Sequence, residues 1–172
     1  MATARRAQFL EKSLRLIHHR GFKGTTMTKQ EILDETLFDI NDEFQKGIDA
    51  IISSGYGPLD KLKQITQLYV RLTFEKPYQI SLLVNGWRHL TEVRKREFLN
   101  ERRSYEGKVR QVVVNGIEVG EIRAFDPDIC TSMVLSSMRW LFEACVEGQS
   151  AMNPIEIERQ INDFVNGGLA ST

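Results

Sequence analysis

Few side chains in this sequence are grouped for bond-making chemistry. Its histidines are His18, His19 and His89. The first two are neighbours in a basic stretch. His89 has only Glu92 within a helical turn, a lone pair and not a metal-ligand set. No serine sits in a nucleophile-elbow context and no glycine-rich phosphate loop occurs. Cys130 and Cys145 fall in one expected helix, roughly 22 Å apart at helical rise, too far to pair. They read as reduced thiols, as in the cytoplasm. The sequence predicts no enzyme, no metal site and no cofactor.

What remains is binding chemistry. Arg139 lies between Met138 and Trp140 in the most apolar segment, where a buried guanidinium needs a partner. It is either an internal ion pair or snorkelling side chain, or a contact for an anionic ligand group. Trp87, Phe98, Tyr105, Met133 and Trp140 are either core or the lining of a mainly apolar small-molecule pocket. Arg102 and Arg103 either meet a phosphate at the mouth of such a pocket or face water.

The elements that must position these residues are all helical. Thr28 and Glu31 form a capping-box pair opening a helix to about Ser54. Its Leu33, Leu37, Ile40, Phe44, Ile48 and Ile51 recur at helical spacing. Pro58 opens the next helix, to Glu75, and Pro77 stops it; a short one runs from Tyr78 to Gly86. The longest follows from Thr91 to about Val119, where Gly120 ends it. Asp126 and Pro127 start one helix expected to continue to Val146, apolar on nearly every face and therefore covered on both sides. Asn153 and Pro154 open a last helix carrying Ile157, Ile161, Phe164 and Val165, closed by Gly167 and Gly168. The fold expected is all-α.

Composition is that of a globular chain, 41% hydrophobic and 27% charged, with no apolar run near membrane-spanning length. Charge begins at Arg5, so the N-terminus lacks the apolar stretch of a signal peptide. The formal net charge of +0 hides a split. Residues 1–30 hold seven Lys or Arg against Glu11, whereas the remainder carries a net of −6. A basic front on an acidic body suits a part that meets phosphate backbones and a part that does not. Within that front, Ala7, Leu10, Leu14 and Ile17 make one apolar helical stripe. Gly21-Phe22-Lys23-Gly24-Thr25-Thr26-Met27 follows.

A basic amphipathic helix, this G-F-x-G-T-T turn and a threonine ready to cap a helix resemble the opening of the DNA-binding domain of TetR-type transcriptional regulators. Gly116-Ile117-Glu118-Val119-Gly120-Glu121-Ile122-Arg123 followed by Asp126 resembles that family's join between its long helix and its first dimerisation helix. The run Arg102-Arg103-Ser104-Tyr105-Glu106 is similar to the subgroup that senses acyl-coenzyme A esters. The resemblance implies residues 1–29 as part of a helix-turn-helix domain and 30–172 as an effector-binding and dimerisation domain. Arg5, Arg6, Thr25 and Thr26 would lie at DNA.

Residues 126–147 and 154–169 would pair with their copies in a two-fold bundle, with Val134, Leu141, Cys145, Ile161, Phe164 and Val165 at the interface. Where the family has two short DNA-reading helices, however, Met27 leads at once into Thr28-Lys29-Gln30-Glu31, a shortfall of about twenty residues. Phosphate contacts position a protein but do not read bases, which requires a recognition helix. Two further readings therefore stand beside an effector-controlled repressor: a ligand-binding homodimer without sequence-specific DNA binding, and a dimerisation module with a filled core.

Overall fold

A computed structural model of the chain describes residues 27–146 and 153–171. Numbered from the first described helix, it comprises α1 (Met27–Ile52), α2 (Pro58–Glu75), α3 (Pro77–Asn85), α4 (Glu92–Glu118), α5 (Pro127–Ser137), α6 (Leu141–Val146) and α7 (Pro154–Leu169). A short 3-10 turn, Gly86–His89, joins α3 to α4. The fold is all-α; among the described residues the only bridge between extended residues is Ile122 to Ala170.

All four prolines stand in the first turn of a helix, where a missing N–H costs nothing. Asp126 caps α5 by accepting from Asp128 N at 2.9 Å and Ile129 N at 3.0 Å, and Asn153 caps α7 through Ile155 N at 2.9 Å. Gly120 ends α4 with φ +77°, the left-handed conformation that favours glycine. Three expectations need correction. Thr28 is already inside α1, so it is not that helix's N-cap. Helix α7 runs through Gly167 and Gly168 to Leu169. The segment expected as one helix from Pro127 to Val146 is broken at residues 138–140.

Helices α1 and α4 run parallel in a fixed register. Asp34 faces Arg94 at 3.9 Å, Phe38 meets Phe98 edge-on at 6.2 Å between ring centres, and Asn41 Nδ2 donates to Glu101 Oε2 at 2.5 Å. One turn further, Gln45 Nε2 donates to the Glu101 carbonyl at 2.8 Å, Phe44 meets Tyr105 at 5.2 Å, and Lys108 pairs with Asp49. Apolar and polar contacts thus alternate along the seam at close to heptad spacing. Phe44, Leu62, Ile65, Leu72, Ile80 and Phe98 fill the core between α1, α2, α3 and α4, and α7 packs along α2.

Candidate functional site

A cleft of about 400 Å³ opens where α3 and its 3-10 turn, α4, and the break before α6 converge. Arg102 enters it from α4, Trp87 and Arg88 from the 3-10 turn, and Arg139 and Trp140 from the break; Val84, Asn85, Phe142 and Glu143 complete the lining.

The break itself delivers two of these side chains. Ser137 Oγ donates to the Val134 carbonyl at 2.7 Å, and Trp140 Nε1 donates to the Ser137 carbonyl at 2.8 Å. Leu141 N turns to the Met138 carbonyl at 3.2 Å. Side-chain and tightened-turn bonds thus stand where the α-helical ladder would continue. Arg139 and Trp140 are consequently exposed at the lip, and Arg139 is not the buried guanidinium that its apolar neighbours suggested.

Arg102 is the best-anchored cation of the cleft. Burial works against its charge, but Glu106 Oε1 at 2.8 Å and the adjacent Tyr105 phenol outweigh that, so its pKa is raised further. Burial pushes the Tyr69 phenol well above its ordinary pKa, opposed by Arg139, and it also raises that of Tyr105, opposed chiefly by Arg102. The Tyr69 hydroxyl has no hydrogen-bond partner among the described residues. Arg88 stacks over the Trp87 ring at 5.0 Å and its Nη1 donates to Asn85 Oδ1 at 3.2 Å. Both indole N–H groups are spent on backbone carbonyls, Trp87 on Val84 and Trp140 on Ser137. The indoles therefore offer apolar surface and three arginines offer charge, a combination suited to an anion joined to a flat or apolar group.

The cleft brings together Trp87, Arg102, Arg139 and Trp140 of the expected pocket. Phe98 and Tyr105 are buried in the core beside it, and Arg103 is exposed, its Nη1 on Asn100 Oδ1 at 3.4 Å. Met133 is 65% exposed on α5 and does not line the cleft. Sequence reasoning missed Arg88 and Glu143; the pairing of Arg88 with Trp87 was the available signal.

The expected interface residues are also redistributed. Val134 (2% exposed), Leu141 (0%), Ile161 and Val165 are covered by the protomer itself, and Cys145 is half-buried. Their stripe faces inward because both faces of this segment are apolar and the protomer's own core takes one of them. Phe164 alone of that set stands out, 74% exposed. Ile129 and Met133 are also exposed, on α5, where they line a shallow groove of about 410 Å³ together with Asp128, Ser132 and Ser136. Arg5, Arg6, Thr25 and Thr26 lie outside the described residues. No group of three or more metal-ligating side chains occurs among those described, and no described helix is long and apolar enough to cross a membrane.

The chain is similar throughout to several solved regulators. The ketosteroid transcriptional regulator KstR2 of Mycobacterium tuberculosis superposes with a TM-score of 0.85 at 18% identity, over 98% of this chain and 96% of that one. The TetR family regulator PfmR of Thermus thermophilus gives 0.80 at 18%, over 92% and 97%. AibR, solved with isovaleryl coenzyme A and operator DNA, gives 0.77 at 15%, over 92% and 96%. At such identities the likeness is one of fold. No curated protein matches the sequence. The family model described as "Tetracyclin repressor-like, C-terminal domain" matches residues 55–143, just over half of the chain. The chain belongs to the tetracyclin-repressor-like (TetR) family of transcriptional regulators.

Proposed function

We propose that this chain is a non-enzymatic, effector-controlled repressor acting as a homodimer. Its effector is an anionic, partly apolar small molecule of acyl-coenzyme A type, held at the cleft of Arg88, Arg102 and Arg139. The observation that carries this reading is the convergence of three guanidinium groups and two indoles on one opening, with Arg102 fixed by Glu106 at 2.8 Å. Phosphates suit the arginines and a flat or acyl group suits the indoles. That AibR was solved with isovaleryl coenzyme A lends the ligand class support.

Residues 1–29 supply the DNA-facing part, with Arg5 and Arg6 on phosphates and Thr25 and Thr26 at the helix opening, and residues 30–172 supply the effector and dimer functions. The dimer forms through the exposed apolar side chains of Ile129 and Met133 on α5 and Phe164 on α7, which are costly to leave in water. Effector binding acts by favouring one of two spacings of the paired N-terminal segments. The second reading, a ligand-binding dimer that reads no sequence, is favoured by one observation: the chain is already helical at Met27, directly after the G-F-x-G-T-T sequence, which leaves no stretch between the two for a recognition helix.

Selection from a random duplex library separates the two. Enrichment of a two-fold symmetric site, released by an acyl-coenzyme A thioester, supports the repressor. Recovery of unenriched duplex overturns it in favour of the second reading.

A further inference from the structure

The stretch of α4 from Glu101 to Glu106 works on two sides. Arg102 lines the cleft and pairs with Glu106. Glu101, its neighbour, receives Asn41 Nδ2 on its carboxylate and Gln45 Nε2 on its carbonyl, both from α1. Tyr105 belongs to both sides, with its phenol beside Arg102 and its ring against Phe44 of α1.

Asn41 is the unexpected member of this set. It is fully buried, and its Oδ1 has no partner among the described residues. A half-satisfied amide in a core is less stabilising than an apolar side chain of similar volume. Such residues are best attested where they choose one register out of several, as a single buried asparagine does in a parallel helix pair. The parallel register of α1 and α4 is the feature Asn41 is placed to choose.

We propose that the Asn41–Glu101–Gln45 clamp is the relay by which the arginine cleft sets the position of α1, the helix that follows the basic N-terminal segment in the chain. The inference rests on the cleft being the effector site. An anion at Arg102 competes with Glu106 for the guanidinium. When that pair loosens, Tyr105 is no longer held from the cleft side, and Glu101, on the same turn, carries Asn41 and Gln45 with it. Within the clamp only Asn41 is buried, and the neighbouring Asp34–Arg94 and Asp49–Lys108 pairs lie along the same seam and shift with it.

Hydrogen–deuterium exchange on the full chain, read in peptides from residues 30–50, tests this without any effector. Arg102→Ala, with Glu106→Gln as a second route to the same broken pair, raises exchange in α1 by about threefold or more. In an Asn41→Leu background that increment disappears, while Asn41→Leu alone melts no lower than the parent. Glu101→Ala, which cuts the side-chain clamp from α4, abolishes the increment as well. The same increment in both backgrounds, no increment in either variant, or a lowered melting temperature for Asn41→Leu overturns the relay. Because no ligand enters this experiment, failure of coenzyme A thioesters to bind would remove the effector reading while leaving the relay result standing.

Discussion

Glu121 caps a helix that begins more than sixty residues before it: its Oε2 accepts a hydrogen bond from Leu59 N at 3.2 Å, in the first turn of α2. The same short segment holds the end of α7, because Arg123 N donates to the Leu169 carbonyl at 2.9 Å and Ser171 N to the Glu121 carbonyl at 2.9 Å. The Arg123 guanidinium also reaches the Gly168 carbonyl. The Gly-Glu-Ile-Arg motif read from the sequence is therefore a clasp joining three helices, with a physical reason for each residue. Glu121→Ala is expected to cost about 1 kcal/mol, the usual value of a lost N-terminal cap, in urea-induced unfolding.

Gly116 sits where α4 touches its own returning loop. A Cβ there would fall inside the Ile122 side chain and 3.0 Å from Pro58 Cβ. Gly116→Ala should destabilise by about 1–3 kcal/mol despite its better helix propensity. Ile122→Val, which removes the clashing δ-methyl, should recover part of that loss in the double variant.

The two stripes of α5 and α6 should respond differently to substitution. Met133→Asp combined with Phe164→Asp should give a monomer by light scattering with the helical circular dichroism retained. Leu141→Ala, which removes a fully buried side chain, should instead lower stability by about 2–5 kcal/mol and leave association unchanged.

Glu156 in the first turn of α7 is held by Arg159 and Gln160, which lower its pKa from the ordinary 4.5 to about 2. A depressed folded-state pKa means stability that is present above the unfolded value and is lost as pH falls through the folded one. The acid limb of the stability curve should therefore steepen between about pH 4.5 and 2 in the parent, and Glu156→Gln should flatten it.

Most of the fold was legible because its signals are local. The four prolines, Asp126, Asn153 and Gly120 mark helix ends by backbone chemistry that needs no tertiary partner. The break at Arg139 was not legible, because no glycine or proline announces it. It is accompanied by Ser137 and Trp140 hydrogen-bonding to carbonyls that are otherwise ladder acceptors. Nor could periodicity decide which apolar stripe of residues 127–146 turns inward. Val134 and Met133 are equally apolar neighbours, and only the packing of the protomer shows the first buried and the second exposed. The cleft is half legible: Trp87, Arg102, Arg139 and Trp140 carry binding chemistry that their residue types alone announce. Arg88 joins them only because the 3-10 turn points it along the Trp87 ring.

The most direct test of the arginine cleft as an effector site is calorimetric titration of the protein with a set of acyl-coenzyme A thioesters of increasing chain length. Saturable binding of one molecule per protomer, weakened at least about tenfold by Arg102→Ala and by Arg139→Ala, is the result expected for charge-assisted phosphate contacts. Absence of binding across the set, or equal affinity in the parent and both arginine variants, would contradict it.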